Sequence, residues 1–120
     1  MHCVRFSSEG LLLVCDRANN RFQMFRKDGT FVSETIIAPD TTTNEGSVVD
    51  LAFSPDQQLL YAADVRNEKV WILLKDGLKT VGSFGDSTGG RVGPIHNLDL
   101  DSKGNIYTGP RLQKFTYKGA

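Results

Sequence analysis

The 120 residues hold only two cysteines, two histidines and one tryptophan, and no apolar run is longer than five residues, as in LLLVC at 11–15. Such a run is far short of the roughly 20 residues that carry a helix across a bilayer, and no charged-then-apolar leader precedes it. The chain therefore reads as neither membrane-spanning nor visibly secreted, with a cytoplasmic location expected unless it is part of a longer secreted protein. Charge of either sign is not in excess: fourteen Lys and Arg balance fourteen Asp and Glu. No net field steers the molecule to nucleic acid or an anionic membrane, and neither is expected as a partner. Cys3 and Cys15 form no CxxC pair, which removes the common zinc and redox signatures. Helical periodicity is also missing, since apolar residues never recur at a spacing of three and four over a useful length.

What is present is a repeat. His2, Val49 and His96 stand at a constant step of 47 residues, and the same pattern runs on from each of them. Short alternating runs rich in Val, Leu, Ile, Phe and Tyr are broken by turn clusters such as SSEG, SPDQQ, DSKGN, RANN and KDG. This predicts strands at 3–7, 11–16, 21–26 and 31–36, then at 48–53, 59–64, 69–74 and 79–84, with three more in a last unit. The expected units are about 1–37, 47–85 and 94–120, in one domain, the last lacking its outer strand. KDGT and KDGL are expected as hairpin turns in which Gly takes positive φ. If SSEG joins two antiparallel strands about Glu9, Cys3 falls opposite Cys15 and His2 opposite Asp16. Two small buried thiols are the first reading of that cysteine pair; a cross-strand disulfide needs an oxidising compartment. The Gly-rich stretch 82–94 reads as a connection between units rather than a phosphate cradle, because no helix follows it.

Four-stranded antiparallel units of this length are what a β-propeller blade needs, each covering the next one's apolar face. The runs VCDRANNRFQMF, YAADVRNEKVWIL and LDSKGNIYT resemble NHL repeats, the blades of six-bladed propellers, over nearly the whole chain. The likeness is to bacterial NHL-repeat proteins related to the peptidyl-hydroxyglycine (peptidylamidoglycolate) lyase domain. The resemblance implies an all-β half propeller of three blades, with His2, Val49 and His96 at one level around the axis. A half ring leaves apolar outer faces bare, and a homodimer closing one six-bladed ring is the expected remedy.

The resemblance also implies a metal, zinc or another divalent ion, on histidines of alternate blades. His2 and His96 match two such ligands, and the third belongs to a blade this chain lacks. Asp16 is placed to hold the His2 ring through a hydrogen bond or, equally, to cap the RANN loop. Arg17 matches an arginine of the lyase site, where a cation holds a carboxylate or oxyanion; Arg21 and Arg66 lie near it as further binding candidates. Against catalysis, Pro110 stands where Asp16 has its counterpart, and Pro94 stands two before His96, where the lyase has methionine. Tyr61, Tyr107 and Tyr117 sit within strands and do not replace the lyase's tyrosine. Asp50, Asp99 and Asp101 are expected to point away from the axis. The expectation is a binding module for a peptide, protein or small ligand with no catalytic residues. A metal-dependent lyase and a pure interaction scaffold are the alternatives.

Overall fold

A computed structural model describes residues 3–37, 46–85, 95–110 and 112–116, with the side chain of Pro110 excepted. Eleven strands fall where the alternation places them, and the helical content among these residues is two single 3-10 turns, Arg17–Asn19 and Asp76–Leu78. Sheet one consists of β1 (Cys3–Phe6), β2 (Leu12–Asp16), β3 (Arg21–Phe25) and β4 (Phe31–Ile36) in chain order. Sheet two is β5 (Val48–Phe53), β6 (Leu59–Asp64), β7 (Lys69–Leu74) and β8 (Lys79–Gly85), again in chain order. Sheet three has β9 (Ile95–Leu100), β10 (Ile106–Pro110) and β11 (Gln113–Phe115). All pairings are antiparallel.

The first turn of every unit is built alike, which is why the strands keep step. Ser7, Ser54 and Asp101 each accept a backbone N–H from the residue that opens the next strand region, namely Leu11, Leu59 and Asn105. Gly10, Gln57 and Gly104 take the left-handed conformation the turn demands, at φ of 84°, 62° and 86°. Gln57 does so with a side chain, and its Oε1 accepts the Ser8 N–H from the neighbouring unit. Gly29 and Gly77 likewise supply positive φ in the two KDG turns.

Period-two alternation gives each sheet two faces, and the sheets stack on them. Leu13, Cys15, Phe22 and Met24 of sheet one meet Leu51, Leu60, Ala62 and Leu73 of sheet two in one apolar cluster. The other face of sheet two, with Ala52, Tyr61, Ala63 and Val70, meets Ile95, Leu98 and Ile106 of sheet three in a second. Sheet two is thus covered on both faces, and β5 lies beside both β1 and β9.

The first hairpin has the expected register, with Cys3 opposite Cys15. The reading of two separate thiols is corrected: with Cα atoms 4.8 Å apart, the sulfurs are joined as a disulfide. That spacing lies inside the roughly 4.4–6.8 Å that a disulfide bridges. His2, the proposed partner of Asp16, lies outside the described residues, as do Pro94, Tyr117 and most of the Gly-rich stretch beyond Gly85.

Candidate functional site

One edge of the molecule gathers the candidates. There β1, β5 and β9 begin, β2, β6 and β10 end, and the loops at 17–20 and 65–68 turn back. Asp16, Arg17, Arg21, Arg66 and His96 all belong to this edge, so the structure brings the described candidates to one rim; His2 is not among the described residues.

His96 is exposed, and its position is set by a bulge. The β9–β10 register jumps so that Asn97 faces Gly109 while Ile95 faces Pro110, leaving His96 as the extra residue. The β5–β6 register jumps at the same step, with Val49 as the extra residue. A bulge of this kind re-aims a side chain at a sheet edge. The spacing of 47 between Val49 and His96 is therefore a structural equivalence, although Val49 is buried and His96 is not.

Asp16 is committed to its own loop. Its Oδ2 accepts Asn19 Nδ2 at 2.9 Å and Arg21 Nε at 2.8 Å. Partial burial works to raise the carboxyl's pKa, but the hydrogen bonds from Asn19 and Arg21, with the charge of Arg21, outweigh it and hold it below the ordinary value. Both donors are side chains, and the 3-10 turn at Arg17–Asn19 receives no side-chain cap hydrogen bond from Asp16. Arg21 in turn lies 3.8 Å from Glu34, so its guanidinium is held between two carboxylates. Arg66 is exposed on the corresponding loop of sheet two, where its N–H donates to Asp64.

Asp64 repeats the Asp16 arrangement in a fully buried setting. Its carboxylate takes the N–H groups of Arg66 and Asn67, Asn67 Nδ2 at 2.7 Å and the indole Nε1 of Trp71 at 2.9 Å. Four donors offset the desolvation of a buried carboxylate, which is why it can be there. Asn20, in the left-handed region at φ 55°, ties the first loop to the residues on either side of the connection between sheets one and two. Its Oδ1 accepts both the N–H and the hydroxyl of Ser47, and its carbonyl accepts the Ile37 N–H. Gly46 is required beside it: φ is 74°, and a Cβ would collide with the Arg17 carbonyl.

Asp50 is the departure from expectation. Rather than pointing away, its buried carboxylate sits where the three first strands meet. Oδ1 accepts Arg5 Nη2 from sheet one at 3.1 Å and Oδ2 accepts the Leu98 N–H of sheet three at 3.1 Å. The pairing is regular from Asp50 onward, and the bulge at Val49 comes just before it. Asp99 is exposed beside it, and Asp101 belongs to the opposite edge, in the Asn105 turn. An open cleft of about 340 Å³ runs from Arg5 across Asn97, Asp99, Tyr107 and Leu112. Tyr61 is buried in the core, and the Tyr107 hydroxyl donates to Asp101. Among the described residues no three His, Cys, Asp or Glu side chains converge as a metal-holding group.

No family model matches the sequence. No curated protein matches it either. Similar folds are nonetheless frequent among solved structures, with 370 matching chains. One of them is Kuenenia stuttgartiensis hydrazine synthase, with a TM-score of 0.69 over 88% of this chain at 12% identity. The chain spans 28% of the length of that protein, and at this identity the likeness is one of fold.

Proposed function

We propose that the chain forms three consecutive blades of an NHL-type propeller, and that it is a non-catalytic binding module whose ligand seats on the rim of Arg17, Arg66 and His96. The observation that carries the reading is the structural repeat. Turns and bulges recur at the same step, and the sheets stack face to face with β1, β5 and β9 side by side. Loops gathered at one end of a rigid stack are where such scaffolds carry recognition, because loops vary without disturbing the core. Two guanidinium groups on that rim favour a ligand with a carboxylate or similar anion, a peptide C-terminus being the simplest example. Arg21 is a framework residue in this reading, since Asp16 and Glu34 occupy it.

The rim itself supports binding better than lyase chemistry: Asp16 is engaged by Asn19 and Arg21, and Pro110 replaces its counterpart beside His96. Amide NMR shifts during titration with short peptides bearing a free C-terminal carboxylate test the proposal. Movement confined to Arg17, Ser47, Arg66 and His96 is expected. Shifts confined to the opposite turns at Gly10, Gln57 and Gly104, or none with any peptide, overturn it. Elemental analysis after purification without chelator separates the lyase-like reading, which requires near-stoichiometric zinc or another divalent metal on His2 and His96.

A further inference from the structure

Of the three first strands, β1 is the least anchored by packing. None of its four residues is buried, whereas five of the six in β5 are. The 47-residue step allows a comparison position by position: Leu51 and Leu98 are 0% and 4% exposed, while Val4, their counterpart, is 45% exposed. Within sheet one β1 pairs with β2 alone. Two further links hold it. The Cys3–Cys15 disulfide ties its first residue to the end of β2, and Arg5 reaches to sheet two, donating to the Leu51 carbonyl and the Asp50 carboxylate. Of the β1 side chains only Cys3 packs on the core between sheets one and two, and it does so as half of the disulfide. The other units carry Asp50 and Asn97 at the position of Cys3, so the covalent tie belongs to the one first strand that lacks an apolar anchor.

The rest of the stack does not depend on β1. Leu13, Cys15, Phe22 and Met24, which pack on sheet two, come from β2 and β3. The rim loop is fastened separately, by Asp16 to Arg21 and by Asn20 to Ser47. Asp50 keeps the N–H groups of Leu51 and Leu98 when Arg5 is withdrawn. A strand with few apolar contacts on an otherwise packed sheet is a unit that opens locally.

We infer that the disulfide is a redox latch: a dithiol opens it, and β1 then leaves the edge of sheet one, with Arg5, while the three-sheet stack stays folded. The reductant approaches on the side of Cys3, which is partly exposed, since Cys15 is fully buried. Its thiolate attacks the Cys3 sulfur, the S–S bond breaks, and Cys15 departs as a thiolate. The reagent's second thiol then displaces Cys3, so the reductant ends as a cyclic disulfide and the chain has gained two electrons and two protons. Opening removes the guanidinium from the cleft that runs from Arg5 across Asn97 and Asp99, and bares the edge of β2. The inference concerns this edge and not the rim ligand, so the peptide titration and the experiment below fail independently.

Amide hydrogen exchange of the native chain with and without dithiothreitol tests it, thiol titration reporting the state of the bond. Reduction is expected to speed exchange of the protected β1 amides on the order of a hundredfold, the constraint that closing so short a loop supplies, and to leave β3 and β6 unchanged. Reoxidation is expected to restore the protection. Cys3→Ala keeps the Cys15 thiol in the core and is expected to show the open pattern with no reductant present. Arg5→Ala in the oxidised chain is expected to keep β1 closed. Unchanged protection of β1 after reduction, a uniform rise across β1, β3 and β6, or a bond that no dithiol reduces without denaturant overturns the inference.

Discussion

Asp50 shows how one side chain can join three elements. Its carboxylate accepts from Arg5, from the Leu51 N–H and from the Leu98 N–H, so removing it leaves two backbone donors without their acceptor, while the Arg5 guanidinium keeps the Leu51 carbonyl. Unsatisfied buried donors cost about 1–3 kcal/mol each, so Asp50→Ala is expected to lower unfolding stability by about 2–4 kcal/mol. Arg5→Ala, at a half-exposed position, leaves both backbone bonds intact and should cost about 1 kcal/mol or less. Urea titration of the two variants checks the asymmetry; equal losses would place the energy in the ion pair instead. Asp101 offers a pH test. The Asn105 side chain, then the backbone N–H groups of Asn105 and Lys103 and the Tyr107 hydroxyl, all favour its charged form, and together they outweigh the opposing effect of burial and lower its pKa from 3.8 to about 2. A folded-state pKa below the unfolded one means the stabilisation is complete above pH 4 and fades as pH falls toward 2. Asp101→Asn should flatten the stability profile in that window and leave its shape above pH 5 unchanged.

At the scale of the element, the hairpins were legible because turn chemistry and alternation agree. SSEG predicted the β1–β2 register, and the KDG turns predicted the glycines at positive φ. The bulges were not legible. A single extra residue at Val49 or His96 leaves the composition of the strand unchanged, so nothing in the alternation marks it. The disulfide was half legible, since register put Cys3 opposite Cys15 but could not say whether the sulfurs are bonded. Its closure spans 12 residues, which constrains the unfolded chain by roughly 3 kcal/mol. Reduction with dithiothreitol, or Cys3→Ser with Cys15→Ser, is therefore expected to lower stability by about that amount. Thermal melts with and without reductant measure it, and identical melts would show that the bond contributes nothing.

For the whole molecule, position in the stack decides local stability. Sheet two is packed on both faces, while sheet one is open on its outer face and sheet three is polar on its own. Native-state hydrogen exchange should rank accordingly, because local opening is cheapest where few apolar contacts are lost. Amides of β6 are expected to exchange last, and those of β4 and β11 first. Slowest exchange in sheet one would show that its outer face is covered in solution.

Strand positions, turn types, the 47-residue step and the gathering of Asp16, Arg17, Arg21, Arg66 and His96 at one edge follow from the sequence alone, since each depends on neighbours within a few residues or on the repeat itself. Only the tertiary structure decided that Asp16 serves its own loop, that Asp50 faces inward to Arg5 and Leu98, that the cysteines are bonded, and that the open face of sheet one exposes Val4, Phe6 and Phe31. Those outcomes depend on which side chains meet across sheets. Alternation fixes two faces for a strand, but the contacts that assign a face to core, junction or surface come from residues some 45 positions away.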